Sequence, residues 1–147
     1  MSDDPLQQST QEDRHDADQT RAFAVACARM LRDDKCEHVV LLDVRGLSQV
    51  TDYVVIGSGT SDRQMNSALD DCRELGDEHG LPAHRTSSDD RSTWLLADFV
   101  DVVVHLFEPN TRAMYDIEML WGDAPRVPWR REGEAGGEAE GPSGDGL

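Results

Sequence analysis

The chain has 147 residues, with 14 basic and 30 acidic side chains and a formal net charge of −16. Its length is enough for one domain with a hydrophobic core. Because bare phosphate backbones repel such a chain, little direct contact with nucleic acid is expected and a basic protein partner is favoured, although acidity can also serve solubility alone.

The start of the chain and its cysteines both favour a cytoplasmic protein. The N-terminal residues are acidic and lack the apolar segment of a signal peptide, and no apolar run is long enough to span a membrane. Cys27, Cys36 and Cys72 are the three cysteines, and they form no C-x-x-C pair. They predict reduced thiols rather than a disulfide framework or a zinc site.

The folded part of the chain is expected to begin with an amphipathic helix. Residues 1–17 offer almost no apolar side chains to a core and are predicted to be a disordered acidic tail. From residue 18 to residue 34, apolar side chains recur at helical intervals. They are Ala22, Phe23, Ala26, Cys27, Met30 and Leu31.

Two strands and a second helix follow. Residues 39–44 are nearly all apolar, which is typical of a central strand buried on both faces. After a turn, residues 51–56 are β-branched and aromatic and predict the next strand. Thr60 or Ser61 can cap a helix that continues to about His79, and Gly80 stands where helices commonly end.

The second half of the chain predicts three strands and a last helix. The strands are expected at residues 82–86, 93–98 and 101–107. A polar loop is expected at residues 87–91. Pro109 is suited to the start of a helix because its missing N–H has no partner there in any case. The apolar side chains of that helix are Met114, Tyr115, Ile117, Leu120 and Trp121.

The order of the predicted elements is α, β, β, α, β, β, β, α. Because strands do not alternate regularly with helices, this order favours an α+β fold, with a single mixed five-stranded sheet flanked by helices, over a doubly wound fold. Residues 126–147 are rich in Gly, Glu, Ala, Ser and Pro, a composition that predicts a second disordered acidic tail. The folded domain is therefore assigned to residues 18–125.

The corner Gly57-Ser58-Gly59 can either cradle a phosphate or only start a helix. A P-loop would need a lysine that is missing, and a dinucleotide fingerprint would need a glycine where Asp62 stands. A nucleotidyltransferase would need carboxylates on a neighbouring strand to hold two metal ions. Asp70 and Asp71 are adjacent on a predicted helix and point apart, so they are poorly placed for this role. We therefore expect no catalytic residue, metal or cofactor.

Longer motifs are more specific than these single features. Residues 42–64 read LDVRGLSQVTDYVVIGSGTSDRQ and contain D-V-x-G-x-S-x-x-T-D-Y and G-T-S-D-R-Q. The second half contains Trp94-Leu95, Asp98, Asp101-Val102-Val103-Val104-His105, Tyr115, Glu118, Leu120 and Trp121. Together these motifs resemble the ribosomal silencing factor family, also called the Iojap-like family, over about residues 20–122.

The resemblance implies a nucleotidyltransferase-like topology with a non-catalytic role. Members of the family bind a large-subunit ribosomal protein, number fourteen, on the face of the large subunit that meets the small subunit. Their presence there stops the two subunits from joining and represses translation. The implied partner is therefore the large ribosomal subunit. Whether the free protein forms a homodimer is left open.

The contact positions of the family match Trp94 and Leu95. As neighbours on a strand, the two side chains point to opposite faces, so one can be buried and the other exposed. The resemblance adds Asp98, Asp101, His105, Tyr115 and Trp121 to the implied binding site. A lone histidine in an apolar strand such as that of His105 is more often a hydrogen-bonded structural residue than a catalyst.

The chain departs from the family pattern at two places. Ser87-Ser88 stands where the family usually has Glu-Gly, and Val100 stands where it usually has glycine. A β-branched residue resists a positive φ, so the hairpin at Val100 either uses another turn type or is strained.

Two other functions stay open. One is a metal-dependent nucleotidyltransferase that uses Ser58 and nearby carboxylates, which predicts magnesium-dependent binding of nucleotides. The other is an adaptor that acts away from ribosomes through its acidic tails.

Overall fold

The computed structural model describes residues 5–134, with side chains from residue 16 onward. Four helices and five strands lie within that range. The helices are α1 (Pro5–Asp33), α2 (Asp62–Glu78), α3 (Pro109–Tyr115) and α4 (Ile117–Leu120). The strands are β1 (Glu37–Asp43), β2 (Tyr53–Ser58), β3 (Arg85–Ser88), β4 (Trp94–Asp98) and β5 (Val102–Phe107).

The strands form one mixed sheet in the order β1-β2-β5-β4-β3. β2 and β5 are parallel, and every other pair of neighbours is antiparallel. Residues 44–52, 89–93 and 99–101 connect the consecutive antiparallel strands. α2 and the β3–β4 hairpin separate β2 from β5, since parallel strands need a long connection. The predicted α+β class with a single mixed five-stranded sheet is confirmed.

The two faces of the sheet are covered unequally. α1 and α2 bury the main core against one face, with Phe23 and Leu31 from α1 and Met65 and Cys72 from α2. Burial of one such side chain contributes about 1.5–3 kcal/mol. A smaller apolar cluster occupies the opposite face, and Ile117 of the short α4 packs into it. The second face is therefore the one that keeps side chains accessible to a partner.

β1 is an edge strand, so its predicted central position is wrong. Its predicted burial on both faces is confirmed, because Val40 and Leu41 are buried in different apolar clusters. The C-terminal segment pairs with the outer edge instead of a sixth strand. The Asp43 N–H donates to the Pro125 carbonyl at 2.9 Å, and the Val127 N–H donates to the Leu41 carbonyl at 2.8 Å. This pairing protects an edge that would otherwise be open to other chains.

The predicted C-terminal tail begins too early in the chain. Val127 and Trp129 are buried in the main core, and Arg29 Nε donates to the Trp129 carbonyl at 2.6 Å. Two large apolar side chains outweigh the polar composition around them, so residues 126–134 belong to the folded body. The rest of that predicted tail, residues 135–147, lies outside the described residues.

The first helix begins at Pro5 rather than at residue 18. The sequence predicts disorder for residues 1–17 because they lack apolar side chains for a core. Once the packed half of α1 exists, however, each added residue gains a hydrogen bond without a new nucleation cost. The polar residues of this segment therefore extend the helix, while residues 1–4 of the predicted tail lie outside the described range.

β3 begins three residues later than the strand predicted at residues 82–86 and ends two residues later, within the predicted loop. Its position follows from the hairpin register, which pairs Arg85 with Asp98 and Ser88 with Leu95. All four β3 residues are exposed, so no alternation of apolar and polar side chains marks where this strand begins and ends. Ser87-Ser88 fits this polar edge strand without an irregularity.

Val100, in the turn between β4 and β5, has φ +75°. This settles the conformation left open by the sequence, because an L-residue with a branched Cβ is strained in the left-handed region. The Val100 N–H donates to Asp98 Oδ1 at 2.8 Å, which helps to hold the turn.

Val100→Gly is expected to raise the free energy of unfolding by about 1 kcal/mol, since glycine removes the left-handed strain but adds freedom to the unfolded chain. Urea unfolding measures the change. Val100→Ala is the control, because alanine keeps a Cβ and therefore most of the strain. A glycine variant no more stable than the alanine variant would contradict this explanation.

Candidate functional site

An aromatic cluster lies on the sheet face that α1 and α2 do not cover. The Trp94 ring of β4 lies 4.9 Å from the Phe107 ring of β5 and 4.8 Å from the Tyr115 ring of α3, measured between centroids. The His105 ring lies 6.0 Å from Trp94. Trp94 and Phe107 are direct neighbours in the β4–β5 register, which brings the cluster together. Three of the residues implied by the sequence, Trp94, His105 and Tyr115, therefore meet at one place.

His105 orients Trp94 through a hydrogen bond. Trp94 Nε1 donates to His105 Nδ1 at 3.1 Å, so this ring nitrogen must be unprotonated. His105 is buried, and burial lowers its pKa from 6.5 to about 4. The imidazole is therefore neutral at physiological pH and acts as an acceptor for the indole, which agrees with the structural role expected for a histidine in an apolar strand.

This pairing predicts a contribution of His105 to acid sensitivity. Above pH 6.5 His105 is neutral in both the folded and the unfolded protein. Below pH 6.5 it becomes protonated in the unfolded chain, whereas in the folded protein it stays neutral until the pH approaches 4. The free energy of unfolding is therefore expected to lose about 2 kcal/mol between pH 7.5 and pH 5 through this residue. Urea titrations of the wild type and of His105→Asn at both pH values measure the difference. Equal losses in the two proteins would argue against it.

A break at Asp116 separates α3 from α4 and sets the direction of each short helix. Glu108 caps α3 by accepting from the Thr111 N–H at 2.7 Å. Asp116 then adopts φ 48° and ψ 53°, which ends α3 and splits the single helix predicted by the sequence. Aspartate tolerates this left-handed conformation better than most residues. After the break, α4 buries Ile117 against the sheet.

The two short helices present an apolar surface, named here the α3–α4 surface. It consists of four exposed side chains: Met114, Tyr115, Met119 and Leu120. Tyr115 is 55% exposed although its ring also contacts Trp94. Trp121 is half-buried and packs against the smaller core. Contiguous apolar surface on a soluble protein typically marks an interaction site.

Leu95 is not at this site. It is 2% exposed and packs in the main core, on the face covered by α1 and α2. Because successive strand residues alternate between faces, Trp94 shares its face with Leu96 and not with Leu95. The burial of Leu95 therefore argues against a direct contact, and Leu96, half-buried on the face of Trp94, is the candidate that sequence reasoning missed. The alternation rule was the signal that identifies it.

Asp98 and Asp101 lie at the other end of the hairpin. Asp98 is four residues along β4 from Trp94, a distance of about 13 Å, and pairs with Arg85 at 3.3 Å. Asp101 is exposed, and its backbone carbonyl accepts from the Asp52 and Tyr53 N–H groups. The structure therefore separates these two carboxylates from the aromatic cluster.

The glycine corner starts a helix. Ser61 Oγ accepts from the Gln64 N–H at 3.1 Å, and Gln64 Oε1 accepts from the Thr60 N–H at 2.6 Å. The first bond makes Ser61 the N-cap of α2, and the second ties the residue before the cap to the first turn of the helix. A Cβ at Gly59 would lie 2.2 Å from Met65 Cγ, so close packing explains the glycine.

Ser58, the serine of the nucleotidyltransferase alternative, is buried at the end of β2 and accepts from Arg112 Nη1 at 2.8 Å. Among the side chains described, those of residues 16–134, no three of His, Cys, Asp or Glu are grouped as a metal site. No helix in the described part of the chain is long and apolar enough to cross a membrane.

Residues 17–143 match the family described as ribosomal silencing factor during starvation. A ribosomal silencing factor of Bacillus subtilis is 39% identical over 93 residues, which cover 63% of this chain and 79% of the relative. The chloroplastic protein Iojap of Zea mays is 32% identical over 107 residues, covering 72% of this chain and 46% of the relative. The mitochondrial assembly of ribosomal large subunit protein 1 of Mus musculus is 32% identical over 95 residues, covering 63% and 42% respectively.

Solved structures resemble the fold. One from Chromobacterium violaceum has a TM-score of 0.66 and 28% identity, covering 69% of this chain and 85% of its own. One from Bacillus halodurans has a TM-score of 0.59 and 33% identity, covering 73% and 94%. The fold and site thus define an α+β protein with an exposed apolar surface on one side of its sheet. The chain belongs to the ribosomal silencing factor family, which confirms the resemblance carried by its motifs.

Proposed function

We propose that this protein, in the cytoplasm, binds the large ribosomal subunit at the face that joins the small subunit and represses translation by blocking that joining. The proposed contact is large-subunit ribosomal protein fourteen. The observation that carries the proposal is the α3–α4 surface beside Trp94, because it is apolar, exposed and on the thinly covered face of the sheet. Several curated relatives are named as ribosomal silencing factors rather than as enzymes, which favours a binding role.

The geometry of this surface suits a protein partner. Interfaces gain most of their binding energy from a few aromatic and apolar side chains that are fully desolvated on contact. Trp94 is held in place by Phe107 and by His105, and Tyr115 lies against it on the outer side. A side chain fixed before binding loses little conformational freedom, so the rigid cluster favours a long-lived complex.

Charged groups border this surface. Asp89 Oδ1 accepts from the Trp94 N–H at 3.1 Å, which places a carboxylate at the base of the aromatic cluster. Asp116 is exposed between α3 and α4. Facing a basic ribosomal protein, such carboxylates would speed the encounter and orient the complex more than they would add affinity.

Blocking requires bulk rather than chemistry. A domain of this length is roughly 30 Å wide, and an interface of about 1,600 Å² is enough for stable binding. An object of that width on the joining face holds the two subunits apart. No catalytic group, metal or cofactor is needed for such an effect.

The test uses purified large and small subunits and the full chain. At saturating protein, we expect co-sedimentation with large subunits and a several-fold lower fraction of joined particles. Subunits that join normally while the protein occupies the large one would overturn the blocking mechanism. Absence of the protein from the large-subunit fraction would overturn the proposed partner.

Two matched measurements address the alternatives. Magnesium-dependent heat on addition of nucleotide would favour the nucleotidyltransferase. Deletion of residues 135–147 tests the adaptor, and it spares the segment up to residue 134 that completes the fold. We expect this deletion to leave large-subunit binding unchanged, whereas an adaptor acting through that tail would lose its partner.

A further inference from the structure

A cleft of about 860 Å³ lies away from the α3–α4 surface, between α3 and the C-terminal segment that pairs with β1. Val40, Val127 and Trp129 contribute apolar walls, and Ala113 of α3 also lines the cleft. The exposed Met114 and Tyr115 do not line it. The volume lies within the range of about 300–1,000 Å³ that is common for small-molecule sites.

Arginine side chains are concentrated in this cleft. Arg112, Arg126 and Arg130 line it together with the two carboxylates of Asp116 and Glu118. The lining therefore carries one net positive charge, three arginines minus two acids, in a chain whose net charge is −16. A positive cleft in so acidic a protein attracts small anions to one place on its surface.

The two arginines nearest to Glu118 are bound unequally. Arg112 donates to Glu118 Oε1 at 3.0 and 3.2 Å and to Ser58 Oγ at 2.8 Å, so its guanidinium is engaged on both sides. Arg126 makes one longer ion pair to Glu118 Oε2, at 3.6 Å, and more than half of its side chain is exposed. A guanidinium has five N–H donors, so Arg126 retains donors for an incoming anion.

We propose that this cleft binds a small organic anion whose phosphate or carboxylate pairs with Arg126 and whose apolar body lies against Val40, Val127 and Trp129. Both anionic groups match the forked donors of arginine. The apolar walls exclude water and give the body of the ligand a surface that inorganic phosphate cannot use. This site is distinct from the α3–α4 surface, because none of the four apolar side chains of that surface lines the cleft; Asp116 borders both.

Isothermal calorimetry on the full chain tests the proposal with 1-naphthyl phosphate, 1-naphthoate, 1-naphthol and inorganic phosphate. At least one of the two naphthyl anions is expected to bind ten or more times tighter than naphthol and than inorganic phosphate. The comparison of the two anions identifies the preferred group. Because no metal takes part, the affinity is expected to be the same with and without magnesium, unlike that of a nucleotidyltransferase.

Two variants locate the bound ligand. Arg126→Gln removes the proposed cation, and Ala113→Phe fills the cleft without a change of charge; each is expected to weaken binding at least tenfold. Tyr115→Ala is the control outside the cleft and is expected to bind as the wild type does. Wild-type affinity in both folded cleft variants would overturn the proposal. So would equal affinity for naphthol and the naphthyl anions, or failure of both anions to bind at millimolar concentration.

Discussion

Replacing Tyr115 and Leu120 together by alanine is expected to weaken binding to isolated large ribosomal subunits by roughly 30-fold or more, the loss typical of one strong hot spot. Tyr115 is 55% exposed and Leu120 is 73% exposed, so neither side chain contributes much to the core. The thermal unfolding temperature should therefore change little. Sedimentation with purified large subunits measures the affinity, and circular dichroism checks the fold.

Leu47→Ala with Val50→Ala is the matched control for this experiment. These residues are also exposed and apolar, but they lie in the turn between β1 and β2 rather than on α3 and α4. The control removes apolar surface of a similar kind and should bind normally. Equal losses in the two double variants would mean that the α3–α4 surface has no special role. Normal binding by Tyr115→Ala with Leu120→Ala would exclude that surface from the interface.

Leu95→Ala is expected to lower the free energy of unfolding by about 2–5 kcal/mol, because it leaves a cavity in the main core. Leu95 is 2% exposed and packs beneath α1 and α2. Loss of large-subunit binding in this variant would follow from partial unfolding and would not identify a contact. Urea unfolding at equilibrium gives the magnitude.

Leu96→Ala is the neighbouring variant that separates contact from stability. Leu96 is half-buried on the face of Trp94, so its truncation should cost well under half as much stability as that of Leu95. If Leu96 lies in the interface, its variant loses affinity while it stays folded. A Leu96 variant as unstable as the Leu95 variant would contradict the assignment of the two faces.

The periodic parts of the chain were predictable. The apolar residues of α1 and α2 recur at helical spacing, and Ser61 and Gln64 mark the start of α2. The strands β2 and β5 are rich in β-branched and aromatic residues, and together with β4 they lie within one or two residues of their predicted positions. These features depend on residues that are close in the sequence, so the spacing of the residues is enough to predict them.

Features that depend on distant partners were not predictable from spacing. β1 looks central because it is apolar on both faces, but its outer neighbour is the segment at Pro125 and Val127 rather than a strand. Residues 126–134 look like a tail, yet the burial of Trp129 holds them in the core. Composition averages over such a segment, whereas a single large side chain with a place to pack decides its structure.

The sequence by itself determined the α+β class, the main helices and the motifs that place the chain in its family. Only the tertiary structure decided which side of β4 lies in the main core and which side stays outside it. Trp94 and Leu95 are adjacent in the chain, but the position of α1 and α2 buries one and leaves the other beside Tyr115. The physical reason is that alternation along a strand assigns its side chains to two faces but does not say which face is buried. The packing of the helices against one face decides that.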